Sequence, residues 1–177
     1  MRVNVEIIRK MNPCKNRFDD NFLIHYPNFD SDLEDFLSLD EITYDDKIWV
    51  CKKLLNKNQL VHFAVLCAQS VLSIYQNKYP NDLRVKNCLD YLATITDFTD
   101  LDNYQREKLL NFRKECRNTA DAAAYAADYA AYAAYTADDA AYADYAAYAA
   151  YAAAYAADVR KTQEDLNLQF LLIASKL

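Results

Sequence analysis

The sequence predicts an all-α protein: one domain over residues 1–177, folded as a multi-helix bundle of about seven to nine helices. Three observations carry this. The 177-residue chain has no Gly and only three Pro, so little in it breaks a helix. Apolar residues recur at helical spacing along most of its length. Residues Thr119 to Asp158 are built from Ala, Tyr, Asp and two Thr, a composition dominated by the best helix former. One domain is the expectation at this length, and 53% of the residues are apolar, enough for a core.

Taken in order, residues 1–10 form an arm or a short strand. Val3, Val5 and Ile7 alternate with polar neighbours, which is too little to build a sheet. A helical N-terminal part follows over 14–98. Its first helix, Cys14 to Ile24, sets Phe18, Phe22 and Leu23 on one face and stops at Tyr26-Pro27. Ser31-Asp-Leu-Glu34 reads as a capping box opening a short helix with Leu33, Phe36 and Leu37 inward. Thr43-Tyr-Asp-Asp46 caps a helix over about 44–56, with Trp49 as a core anchor. Asn58 caps Leu60 to Tyr75, which is apolar nearly all round and is therefore the helix expected at the centre of the fold. That helix runs out at Tyr79-Pro80. Asn81 or Asp82 opens the next, with Leu83, Val85, Cys88, Leu89, Leu92 and Ile95 inward. Thr99-Asp100 starts another, whose Leu101, Tyr104, Leu109, Leu110 and Phe112 lead into the Ala/Tyr-rich helices of 102–158. The chain closes in an amphipathic helix over 159–177, with Leu166, Phe170 and Ile173 in a broad apolar stripe beside Leu168, Leu171 and Leu172.

Within the Ala/Tyr-rich run, Tyr falls at 125, 129, 132, 135, 142, 145, 148, 151 and 155. Steps of three drift back by roughly 60° each on a helix turning about 100° per residue, so one rod would wrap the rings around most of its circumference. Split near Thr136, each half keeps its rings within about half a turn. Thr136-Ala-Asp-Asp139 offers a capping-box-like restart. The reading is two helices, about 102–135 and 137–158, arranged as an antiparallel hairpin. Ala permits close approach of helices, and Tyr supplies a rigid ring with a polar tip. Nine Tyr in this run is more than a core needs, and Tyr is a residue of interfaces.

Several function classes are excluded. Without Gly there is no phosphate-binding P-loop, no dinucleotide-binding GxGxxG and no Gly-flanked nucleophile elbow. Turns requiring positive φ fall to Asn or Asp, with Asn56, Asn58, Asn77, Asn81 and Asn103 between the helical runs. The net charge of −6 disfavours nucleic acid and anionic membranes. Five Cys without a CxxC make neither a disulfide framework nor a zinc site, and read as reduced thiols. His25 and His62 have no ligand-spaced partner, so no metal site and no cofactor are expected. The acidic doublets Asp19-Asp20, Asp45-Asp46 and Asp138-Asp139 splay by about 100° on a helix and serve as caps or solvated faces. No catalytic constellation emerges, and no enzyme is expected. No signal peptide or membrane span is legible, which points to the cytoplasm.

The order of features resembles a known group. Residues His62-Phe-Ala-Val-Leu-Cys-Ala-Gln-Ser-Val-Leu-Ser-Ile-Tyr75, then Tyr79-Pro80-Asn-Asp-Leu-Arg84 and Cys88-Leu-Asp-Tyr-Leu92, precede an Ala-rich run and a polar-then-Leu-rich end, Asp158-Val-Arg-Lys to Leu171-Leu172. Over residues 62–177 this resembles Ala-rich all-helical immunity proteins of bacterial toxin systems. The front, with Asn12-Pro-Cys-Lys15, Phe22, Tyr26-Pro27 and Asp46-Lys-Ile-Trp49, is similar to the start of small phage and prophage proteins of unknown function. The resemblance implies an all-α fold and a role in bacterial or phage conflict; it brings no defined functional residues. The chain departs from the group in being rich in Tyr.

The leading functional expectation is a non-enzymatic binding protein that neutralises a toxin or defence effector, in an immunity or phage counter-defence role. Its contact face would be Tyr129, Tyr132, Tyr135, Asp138, Asp139, Tyr142, Asp144, Tyr145, Tyr148 and Tyr151. Aromatic anchors supply affinity there and Asp supplies steering toward a basic protein. The alternatives are a small-molecule binder, such as a nucleotide-signal sponge, with Arg113, Arg117 and Arg160 as anion contacts, and a structural self-associating module forming a homo-oligomer.

Overall fold

The structure, a computed structural model, describes residues 1–117 and 160–177. Their regular elements are helices apart from one two-stranded sheet, the all-α multi-helix fold that the sequence predicts. The expected hairpin of Ala/Tyr-rich helices lies outside the described residues from 118 onward. The chain divides into two compact units, Met1–Leu54 and Leu55–Leu177.

In the first unit, strand β1 (Arg2–Asn4) pairs antiparallel with β2 (Asp30–Asp32), with Val3 opposite Ser31. The Arg2 guanidinium grips the Asp30 carboxylate at 2.6 Å, diagonally across the ladder. The apolar alternation of Val3, Val5 and Ile7 does not continue as strand. The side chain of Asn4 accepts the Ile7 amide at 2.8 Å and starts helix α1 (Val5–Lys10), because an N-cap oxygen satisfies an otherwise orphaned donor. Asn12 follows at φ 54°, the left-handed turn of this Gly-less chain among the described residues; the sequence reading had the residue type but not the position.

A continuous helical run comes next: α2 (Lys15–Arg17), a π-helical turn (Phe18–Phe22) and α3 (Leu23–His25). Phe18 and Phe22 stack at 5.8 Å, and Phe22 also meets Tyr26, Phe29 and Phe36, so aromatic contacts fill this core. Helix α4 (Leu33–Ser38) is capped by Asp32 at 3.0 Å, one residue later than the Ser31 expected, and buries Leu33, Phe36 and Leu37 as expected. Helix α5 (Tyr44–Leu54) begins at the predicted Thr43 cap, which accepts the Asp46 amide at 3.2 Å. Trp49 is only half-buried on it, while Ile48, Val50 and Cys51 take the interior.

In the second unit, helix α6 (Lys57–Lys78) is the centre the sequence predicts. It buries Leu60, Val61, Phe63, Ala64, Val65, Cys67, Ala68, Val71 and Tyr75, on more than one face. Each large apolar side chain so buried contributes about 1.5–3 kcal/mol before entropy is counted. Its cap is Asn56, in a full capping box with Gln59, and not Asn58. Asn58 bonds instead to Asp97 and to the Phe98 amide, pinning a distant loop. Helix α7 (Arg84–Leu92) packs on α6, and α8 (Asn103–Arg117) packs on α7. Helix α8 is opened by a reciprocal Asp102–Gln105 pair, three residues after the predicted start. Helix α9 (Arg160–Ala174) packs on α6.

Val85, Cys88, Leu89, Leu92, Ile95, Leu101 and Leu109 are buried as expected, but Leu83, Tyr104 and Leu110 are exposed, the second by 67%. On α9 the buried line is Gln163, Asn167, Leu171 and Ala174, while Ile173 faces outward. That line recurs every three to four residues, so it is a proper helix face; it simply includes two amides that α6 satisfies.

Candidate functional site

All ten predicted contact residues — Tyr129, Tyr132, Tyr135, Asp138, Asp139, Tyr142, Asp144, Tyr145, Tyr148 and Tyr151 — lie outside the described residues. The predicted anion contacts flank that stretch. Arg113 is half-buried on α8, Arg117 ends α8 and Arg160 opens α9. What the structure describes is the framework from which this stretch departs and to which it returns.

The departure end is built by the turn between α6 and α7. Tyr75, 1% exposed on the last turns of α6, donates its hydroxyl to Asp82 Oδ2 at 2.7 Å. Arg84 at the start of α7 clasps the same carboxylate: its Nε lies 2.9 Å from Oδ1 and its Nη2 2.5 Å from Oδ2. The Arg84 backbone N–H also donates to Asp82 Oδ1, at 3.1 Å. Arg84 Nη1 then donates to the carbonyl of Glu115, 3.4 Å away in the last turn of α8. A planar guanidinium suits this task, since one edge binds a carboxylate bidentately while the other nitrogen stays free to bond elsewhere. Arg84 therefore holds the Asp82 carboxylate well below the usual carboxylate range, with the Tyr75 hydroxyl adding to it. Burial, reinforced by the Asp82 hydrogen bond, pushes the Tyr75 phenol up to about 12. Next to this latch, the buried Cys88 and Cys116 thiols meet between α7 and α8. Their hydrogen bond and their burial raise the Cys88 thiol well above its ordinary range.

The return end is built by polar contacts between α6 and α9. Gln163 Nε2 donates to Ser70 Oγ and to Asn167 Oδ1, both at 3.0 Å. Asn167, 0% exposed, accepts from the Cys67 thiol at 3.5 Å. Further along, Gln59 Nε2 donates to the Ser175 carbonyl at 3.2 Å. These rungs place the start of α9 beside Ser70 and its end beside Gln59, so the two helices run antiparallel. Buried amides that are bonded this way specify one register, because a slip would strand each of them.

Among the described residues, little else resembles a reactive centre. Lys108 lies over the Tyr91 ring at 4.2 Å and the Tyr104 ring at 5.7 Å, an aromatic-cation cluster on α7 and α8. In the first unit, Phe18, Phe22, Phe36 and Trp49 are among the residues lining a cavity of about 30 Å³, which is room for a water molecule and not for a ligand. His25 is exposed beside Tyr26, and burial lowers the His62 pKa. No group of three or more His, Cys, Asp or Glu among the described residues is placed to hold a metal, and no described helix is long and apolar enough to cross a membrane.

Sequence reasoning missed the Tyr75–Asp82–Arg84 latch as a unit, although Tyr79-Pro80-Asn-Asp82 and Arg84 are among the features on which the resemblance rests. The signal was an Asp directly after a Pro turn with an Arg two residues later, a spacing that allows one carboxylate to take both a backbone and a guanidinium donor. Comparison with curated proteins and with solved structures gives no match. A family model described as "Imm-5 like putative immunity protein" matches residues 52–171. That span takes in α6, the latch, the whole Ala/Tyr-rich run and nearly all of α9, well over half of the chain. The chain belongs to this Imm-5 like family of immunity proteins.

Proposed function

We propose that the protein neutralises a toxin by binding it and occluding its working face, through the Tyr- and Asp-rich surface of residues 129–151. A defence effector is the other target of the same chemistry. The observation that carries this reading is the distribution of charge within the family span. Of the 26 acidic residues, six (Asp121, Asp128, Asp138, Asp139, Asp144 and Asp158) fall in the stretch 118–159, and none of the 20 basic residues does. The rest of the chain therefore carries 20 of each sign, and this one stretch accounts for the whole net charge of −6. Nine Tyr share the stretch with those carboxylates. Large aromatic rings provide the buried anchors that dominate protein interfaces. A uniform negative field speeds encounter with a basic partner and rejects acidic ones.

The test is the triple change Tyr142→Ala, Tyr145→Ala and Tyr148→Ala in tagged protein purified from its native host. Capture of a basic partner is expected to be lost with the helical circular dichroism unchanged. Collapse of the dichroism would show that these rings are core, and undiminished capture would show that the surface lies elsewhere.

A further inference from the structure

The two helices that flank the stretch 118–159 are both tied to the same half of α6. Helix α8 is tied at its last turn: Arg84 bridges the Glu115 carbonyl to the Asp82 carboxylate, and Asp82 is bonded to Tyr75 on α6. Cys116, fully buried against Cys88, closes the same turn. Helix α9 is tied in its first turns: Gln163 reaches Ser70, and Asn167 reaches Cys67. Ser70 and Tyr75 are five residues apart on one helix, about 7.5 Å along its axis. Asp82 is fully engaged by its donors, and Asn167 and Gln163 are buried. Clamps of this kind, set at the two ends of a binding surface, act on the geometry of that surface and not on its partner.

We propose that Tyr75, Asp82 and Arg84, with Ser70, Gln163 and Asn167, are positioning residues for partner binding. They hold the end of α8 and the start of α9, the two points between which residues 118–159 run, at a fixed separation. This role rests on the reading of 118–159 as the contact surface, but the clamps can be examined without any partner.

The experiment places spin labels at Lys114→Cys on α8 and Asp165→Cys on α9, both exposed positions, in a Cys14→Ser background that removes the exposed native thiol. The distance between the labels is read by double electron–electron resonance. A single narrow distance is expected in the otherwise unchanged chain. Arg84→Ala, and separately Gln163→Leu, should replace it with a broad or shifted distribution while far-UV dichroism stays helical. Lys86→Ala, which removes only the exposed Lys86–Asp90 pair on the same α7, should leave it narrow. If Arg84→Ala does not fold, Asp82→Asn keeps the shape and tests the same clasp. A distance left narrow by the clamp changes, with only the melting temperature lowered, would reduce these residues to a stability role and overturn the proposal. The contact-surface reading fails by a different result, undiminished partner capture by the triple Tyr change, so the two failures are distinguishable.

Discussion

At the scale of single residues, Asp82 does the most with one side chain. Its carboxylate takes the Tyr75 hydroxyl, the Arg84 amide and two guanidinium N–H groups. Its pKa in the fold is depressed, so its stabilising effect is complete above the ordinary carboxylate value of about 3.9 and is lost as pH falls toward the folded value. Urea unfolding followed below about pH 4 should therefore show falling stability, and Asp82→Asn should flatten that part of the profile. Tyr75 behaves in the opposite sense. Its folded pKa is raised to about 12, so the stabilisation is present below the ordinary value near 10 and is lost as pH climbs through 12. Tyr75→Phe should cost about 1.5–3 kcal/mol at neutral pH, the worth of a hydrogen bond to a charged group, and should remove this alkaline loss. A Tyr75→Phe protein as stable as the original would mean that the hydroxyl contributes nothing.

Helices are the scale at which the sequence was most legible. The capping signal at Thr43, the apolar run of α6 and the inward Leu33, Phe36 and Leu37 were all readable, because periodicity and caps are local. What the sequence hid was non-local. Asn58 looks like a cap, but Asn56 and Gln59 form the reciprocal box, which leaves Asn58 to pin residues 97 and 98. Leu166, Phe170 and Ile173 drew attention on α9, yet its buried line runs through Gln163 and Asn167, since α6 offers Ser70 and Cys67 opposite them. A polar residue reads as solvent-facing until the partner that satisfies it is known. The proposed contact surface rests on composition and spacing alone, because its residues lie outside the described ones and alanine and tyrosine fit a core and an interface equally well. Asn167→Ala should destabilise the protein by about 1–3 kcal/mol in urea titrations, because it leaves the Cys67 thiol and one Gln163 N–H buried without their acceptor. Changing Gln163 and Asn167 together to Leu should cost less than the sum of the two single changes, since the Gln163–Asn167 hydrogen bond is then removed whole and neither amide is left without the other. Additive costs would show that the two amides act independently.

For the whole molecule, the central fact is segregation. The family span contains a stretch that holds the entire net charge and most of the Tyr, flanked by helices that polar contacts tie to one core helix. On the proposed reading, the acidic, Tyr-rich stretch would meet the partner and the helices on either side of it would hold its two ends. If steering by Asp128, Asp138, Asp139 and Asp144 drives encounter, raising the salt concentration should slow association far more than it speeds dissociation. The most direct measurement is the intact mass, under non-denaturing conditions, of tagged protein purified from its native host. The account predicts a complex of the 20.4 kDa chain with one other, basic protein, absent from the Tyr142→Ala, Tyr145→Ala, Tyr148→Ala preparation. A clean multiple of the chain's own mass, or an added small molecule that leaves on denaturation, would contradict it.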